Sequence, residues 1–384
     1  MEKVLLIVGA QAYPPNPSGA SSILYNLLDG IEPEAIDVLS GEPAKTNSNT
    51  LPFEAVRISA PWLSHLKWLW RFQALEDILR YLMAGLRLTA QKKYQKIMLV
   101  FPDTGSFVAG YLVARLRGLK YQIYLIDLLS DSRLNKLEWL LLRFLEKQII
   151  KEAEVVYSLS QGIVDFYQPA VQREYVLLPH CITLDKVNDV NWQKASTHKK
   201  TIIFSGQIHE ISLDALQNLI RAVRLMDEYD ISVQIYTNRP ESFLREKGLL
   251  DDFVETGFVS GANELLEKLQ QADILFSPIA FEPKYLNQAR TCFPTKTFDY
   301  VRAHRPILVH APTGYFYTQY MAANGSALCV TDFSPEYLKN GITALLNDNQ
   351  LQKGMIASAV TMVEKHHATK KIQSRLIQHL FRKD

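Results

Sequence analysis

The chain has 384 residues, more than a single hydrophobic core usually spans, so two domains are expected. Lysine and arginine total 42 against 40 acidic residues, a net charge of +2, and this balance excludes a dedicated nucleic-acid binder, which carries a marked basic excess. Hydrophobic residues make up 47% and charged residues 21%, as in ordinary globular proteins, and no apolar run reaches the ~20 residues that span a bilayer.

In chain order, the N-terminus combines one lysine with a short apolar run, a pattern shared by signal peptides and first β-strands. Glu2 stands in front of the run, which favours the strand. Further apolar runs at 4–8, 97–101, 123–126 and 155–159 read as buried parallel strands. Helical patterns at 20–31, 107–117 and 133–151 lie between them, and 175–178 reads as the last strand of this half. Residues 186–200 are polar and read as a linker. A second series follows, with strands at 201–205, 233–236, 254–256, 274–277, 307–310 and 327–330 and helices including 213–226 and 264–271. The expected organisation is therefore a Rossmann-like domain over 1–185, the linker, a second such domain over 201–364, and a last helix, about 365–381, within a 365–384 tail that can cross back to the first domain. Ligands of open α/β sheets bind beyond the carboxyl ends of the strands, so two facing domains would enclose a cleft. The cysteines, Cys181, Cys292 and Cys329, are far apart and form no CxxC pair, which suits a reducing cytoplasm and suggests neither a disulfide framework nor a zinc site.

Four places can carry chemistry. The run Tyr13-Pro14-Pro15-Asn16-Pro17-Ser18-Gly19-Ala20 follows the first strand and leads into a helix. Small residues there allow backbone N–H groups to meet an anion, while the plain alternative is a proline-rich turn with a serine cap. In Phe293-Pro294-Thr295-Lys296-Thr297-Phe298-Asp299, proline can start a helix whose first turn holds Thr295 and Lys296 for a diphosphate. Asp299, three residues on, shares that helix face and can accept hydrogen bonds from ribose hydroxyls; the alternative is a surface Lys–Asp pair. Asp103 and Asp127 follow strands and read either as site carboxylates or as caps and turn residues. Residues 62–93 mix Trp62, Trp68 and Trp70 with Lys67, Arg71, Arg80, Arg87, Lys92 and Lys93, which fits an interfacial helix on an anionic membrane or a core helix with a basic rim.

The ordered phrases ADILFSP (272–278), FPTKTFDY (293–300) and RPILV (305–309) resemble the second domain of glycosyltransferase family 4. Pro14–Ser22, AEVVYSLSQGI (153–163), VLLPHCI (176–182) and IIFSGQI (202–208) resemble further family segments in the same order. The resemblance implies an α/β protein of GT-B type, two facing Rossmann-like domains with an interdomain cleft. It implies transfer of a sugar from a nucleoside diphosphate sugar to a glycan, lipid-linked or small-molecule acceptor, with retention and without a metal or other cofactor. Gly19, Ala20, Gly206, Thr295, Lys296 and Asp299 would bind the donor, and Asp127 and Lys296 would act in catalysis. The sequence departs from the family at Thr291, where a first glutamate is expected, and after Gly206, where Gln207, Ile208, His209 and Glu210 replace an arginine–lysine pair. Lys296, Lys284 or Arg290 can replace the lost cations, with His209 as a further contributor, while the acidic Glu282 lies too far upstream to be in register with the missing glutamate. The expected setting is cytoplasmic, with no nucleic-acid partner and with peripheral membrane contact admitted. The alternatives are a non-catalytic transferase-like subunit, which the departures favour, and a nucleotide-sugar epimerase on the same fold.

Overall fold

A computed structural model of the chain describes residues 3–16, 18–42, 50–59, 72–101, 103–128, 136–184 and 199–382. It divides into two compact units, Met1–Ile182 with His367–Asp384, and Thr183–His366. Most of the expected linker and the tryptophan-rich stretch 60–71 lie outside the described residues.

The first unit runs β1 (Lys3–Val8), α1 (Gly19–Leu28), β2 (Ile36–Gly41), β3 (Glu54–Ile58), α2 (Gln73–Gln91), β4 (Tyr94–Phe101), α3 (Thr104–Arg117), β5 (Lys120–Leu125), α4 (Lys136–Glu152), β6 (Val155–Ser158), α5 (Gln161–Tyr167) and β7 (Val176–Leu177). Its seven parallel strands stand in the order β3-β2-β1-β4-β5-β6-β7. The direction of winding reverses between β1 and β4, which makes that boundary the switch point of the sheet. Helices cover both faces, which is why Val4 to Val8 can be apolar without alternation and are at most 1% exposed. Asp103 caps α3 by accepting the Ser106 N–H at 2.7 Å, and Gly118, at φ 64°, closes the helix in the left-handed conformation that glycine adopts without strain.

The second unit runs β8 (Lys200–Ser205), α6 (Leu213–Val223), β9 (Ile231–Tyr236), α7 (Glu241–Glu246), β10 (Val254–Gly257), α8 (Ala262–Leu269), β11 (Ile274–Pro278), α9 (Leu286–Thr291), α10 (Lys296–Arg302), β12 (Ile307–His310), α11 (Phe316–Ala323), β13 (Leu328–Val330), α12 (Pro335–Asn347) and α13 (Asn349–His366). Six parallel strands stand in the order β10-β9-β8-β11-β12-β13, with the switch point between β8 and β11.

The tail differs from the single helix expected over 365–381. The chain breaks after α13 and resumes as α14 (Thr369–Leu380). At the break Ile182 donates its N–H to the His367 carbonyl at 3.0 Å, and Thr369 donates to the Ile182 carbonyl at 3.3 Å. This short parallel bridge outweighs one turn of helix, and it places α14 in the first unit, where Ile372, Leu376 and Leu380 are buried in the core. Among the described residues no helix is long and apolar enough to cross a membrane.

Candidate functional site

The second switch point is assembled from β8, β11 and α10. Tyr300 of α10 is fully buried; its hydroxyl accepts the Ser205 N–H at 3.0 Å and donates to the Phe276 carbonyl at 3.2 Å. The two bonds pin α10 to the ends of both strands. Gly206 follows β8 at φ +122°, and a Cβ built there would lie 3.6 Å from both Cε and Nζ of Lys296. The Lys296 ammonium thus lies directly above Gly206, and it sits 3.9 Å from the centre of the Phe204 ring. Among the described residues it makes no hydrogen bond or ion pair. Burial pushes its pKa down to about 7, with nearby Cys292 opposing the shift.

Asp299 lies one turn along α10 and is half-buried. Burial raises its pKa to about 6, against the pull of Arg302. Its carboxylate makes no side-chain hydrogen bond or ion pair among the described residues, so the surface Lys–Asp pair is not what these two side chains form. The helix start differs from the expected one. Thr295 is the N-cap and makes no side-chain capping bond, and helix α10 begins at Lys296. The N–H groups of Thr297 and Phe298 donate to the carbonyls of Pro294 at 3.1 Å and Thr295 at 3.2 Å. Two donors expected to face an anion are therefore closed inside a tight turn, and the lysine ammonium is the main cation offered.

Neighbouring loops surround this point. His209 is half-buried in the loop after Gly206, and its carbonyl accepts the Ser212 N–H at 3.0 Å. Glu282 after β11 and Arg290 on α9 are exposed. Three residues that sequence reasoning missed shape these loops. Asp214, in the first turn of α6, accepts the N–H groups of Phe281 at 2.9 Å and Glu282 at 2.8 Å through Oδ2, while its buried Oδ1 takes no hydrogen bond. His310, at the end of β12, is held between the Asn218 amide and the Val330 carbonyl, each at 2.9 Å, and packs against Phe281 at 4.7 Å between ring centres. Burial pushes its pKa down to about 4, so it is neutral at physiological pH. The Tyr315 hydroxyl is buried without a hydrogen-bond partner. An acid in a first helical turn and a histidine ending a strand both read as routine in sequence, so neither carried a signal.

A cavity of about 420 Å³ opens at the ends of β9 and β10, lined by Thr237, Asn238, Arg239, Thr256, Gly257 and Phe258. Arg239 Nε donates to the Ile208 carbonyl at 3.1 Å, which ties this cavity to the loop after Gly206. Phe258, directly after β10, is 68% exposed, so its ring is open at the rim of the cavity.

The other expected residues belong to the first unit. Ser18 caps α1 by accepting the Ser21 N–H at 3.0 Å, and its hydroxyl donates to the Gln11 carbonyl. Gly19 is exposed and Ala20 half-buried at the start of α1. Asp127 follows β5, is half-buried, and accepts the Leu128 N–H at 2.9 Å. Asp103 caps α3 at the first switch point, so close to Gly9 that a Cβ on Gly9 would overlap it at 2.2 Å. The structure thus brings Gly206, Lys296 and Asp299 together in one unit, and holds Gly19, Ala20 and Asp127 in the other. Among the described residues no group of three or more His, Cys, Asp or Glu side chains is placed to hold a metal.

No protein-family model and no curated protein matches the sequence. Solved structures match over the whole chain. A glycosyltransferase from Rickettsia africae has a TM-score of 0.71 at 10% identity, with 100% of both chains covered. Sucrose-phosphate synthase from Thermosynechococcus elongatus has 0.69 at 13%, with 99% of each chain covered. HepE from Anabaena, solved in complex with UDP, also has 0.69 at 13%, with 99% of each covered. The fold is that of the GT-B glycosyltransferases: α/β, with two parallel sheets of seven and six strands.

Proposed function

We propose that this protein is a glycosyltransferase similar to family 4, taking a nucleoside diphosphate sugar as donor and retaining the anomeric configuration. The observation that carries the reading is the unpaired Lys296 ammonium held above Gly206 at the switch point of the second sheet. A diphosphate there meets a cation already desolvated and fixed, and stabilises its charged form. As the sugar leaves, negative charge grows on that diphosphate, so the same ammonium contributes more in the transition state than in the ground state. Asp299 accepts the ribose hydroxyls, and Thr295 and Gly206 offer close backbone. The cavity at Phe258 takes the base, with the exposed ring available for stacking. His209, Glu282 and Arg290 border the sugar. Within this reading the chemistry is metal-independent, and Gly19, Ala20 and Asp127 belong to the acceptor side, where the departing phosphate helps deprotonate the acceptor hydroxyl.

The setting is read as cytoplasmic, with peripheral contact at a membrane carrying lipid-linked acceptors. Phe72, Leu79, Met83 and Arg87 form one exposed stripe on and just before α2, apolar at one end and basic at the other, which suits an anionic lipid surface. Release of nucleoside diphosphate from a panel of nucleotide sugars tests the activity. One donor should be turned over by the wild type, and Lys296→Met should slow it on the order of 100-fold. Equal turnover in Lys296→Met would remove the lysine from the mechanism; no turnover of any donor would favour the non-catalytic subunit.

A further inference from the structure

The first unit holds a guanidinium without an anion. Arg57, on β3, donates to the Gly41 carbonyl at 3.2 Å and to the Pro14 carbonyl at 3.4 Å, and its Cζ stands 4.9 Å from the centre of the Tyr13 ring. Among the described residues no carboxylate pairs with it. In sequence, segments 43–49 and 60–71 on either side of β3 contain no acidic residue. Two hydroxyls close by are also unspent. Tyr13 is 1% exposed and its hydroxyl has no hydrogen-bond partner; the same holds for Ser40, which is fully buried. Ser40 is the register partner of Arg57 on the adjacent strand, so the two side chains emerge on the same face of the sheet. Val8, which ends β1, is in turn the register partner of Ser40. The group therefore sits at the carboxyl ends of β1, β2 and β3, the edge where open α/β sheets take ligands.

A half-buried arginine ordinarily finds a carboxylate, and a buried hydroxyl without a partner is destabilising. Both groups at one strand-end edge suit an oxygen-rich ligand. A guanidinium offers forked N–H donors that fit two oxygens of a planar carboxylate or of a phosphate. We propose that Arg57, with the hydroxyls of Tyr13 and Ser40, forms an anion-recognition site in the first unit that holds a carboxylate or phosphate group of the acceptor. Sugar-transfer acceptors bearing an acidic sugar or a phosphate monoester are therefore favoured over neutral ones. The assignment to the acceptor rests on the proposed glycosyltransferase function; the anion site itself does not.

Arginine side-chain resonances of protein labelled with nitrogen-15 arginine test it directly. The Arg57 Nε signal is assigned by its loss in Arg57→Gln. Inorganic phosphate, D-glucuronate and, as a neutral control, D-glucose are then titrated separately. The expected result is a saturable shift of the Arg57 signal with phosphate, with glucuronate or with both, and none with glucose; which anion acts distinguishes a phosphate-bearing acceptor from an acidic sugar. Tyr13→Phe and Ser40→Ala, which keep the arginine, should each weaken that response several-fold. An Arg57 signal that stays still, or that moves only in step with exposed Arg221 on α6, indicates an adventitious ion only and overturns the proposal. Nucleotide binding followed on the same samples separates this failure from failure of the donor site, because Arg57→Gln should leave it unchanged.

Discussion

Lys296 gives the proposed donor site a pH signature. Its pKa lies near 7 in the folded protein against an ordinary 10.5, so between these values it is neutral when folded and charged when unfolded. The unfolded chain binds the extra proton, and this group's contribution to stability therefore rises with pH across that window. A bound diphosphate does the opposite and draws the proton back. Nucleoside diphosphate binding above pH 7 should take up a proton and weaken as pH rises, and Lys296→Met should abolish both effects. Calorimetry in two buffers of different ionisation enthalpy measures the uptake. Gly206→Ala should also weaken binding, since φ +122° costs an alanine about 1–3 kcal/mol and so shifts the loop beneath the ammonium. Lys296 and Asp299 were legible in sequence because they share one short run with a recognisable order. The apposition of Lys296 and Gly206 was not, because only the packing of α10 through Tyr300 creates it. Nor was the closure of two first-turn N–H groups, which depends on how tightly the turn at Pro294 winds.

Among elements, the strands with unbroken apolar runs were legible, as was β10 despite Glu255, whereas β2 and β3 were not. Strand β2 is wholly buried yet includes Asp37, whose carboxylate is held by Lys3 at 2.8 Å, Lys92 at 3.0 Å and the Tyr94 hydroxyl at 2.8 Å. That local neutralisation is invisible in a hydropathy pattern. Strand β3 is an edge strand whose residues are only half-buried or exposed, so its pattern is weak. The split between α13 and α14 has no proline or glycine to announce it; pairing with Ile182 imposes it. Helix α14 should therefore matter to the first unit despite its place at the end of the chain. Leu376→Ala removes a fully buried side chain and should cost about 2–5 kcal/mol in denaturant unfolding followed by circular dichroism. On α2, Met83→Glu places a charge at a position 64% exposed, so it should leave the fold intact while reducing cosedimentation with anionic vesicles.

For the whole molecule, the repeated rhythm of strand and helix made two parallel α/β sheets readable, since sheets covered on both faces need near-continuous apolar strands. The sequence did not disclose that both sheets share the 3-2-1-4-5-6 order, which is a property of pairing rather than of any local stretch. That order puts the switch point of the second sheet at Gly206, and under the proposed function this unit carries the donor. Nucleoside diphosphate should consequently slow hydrogen exchange within Thr183–His366, strongest around 204–210 and 293–302, and stabilise that unit by about 2.7 kcal/mol at a hundredfold excess over Kd.

The proposed nucleoside diphosphate site is built on Lys296 and Asp299. Calorimetric titration of the wild type, Asp299→Ala and Lys296→Met with a panel of nucleoside diphosphates tests it most directly. One nucleotide should be preferred, and each variant should bind it on the order of 10- to 100-fold more weakly, as loss of a charged hydrogen bond implies. Binding of equal strength to all three proteins, or to none, would contradict it.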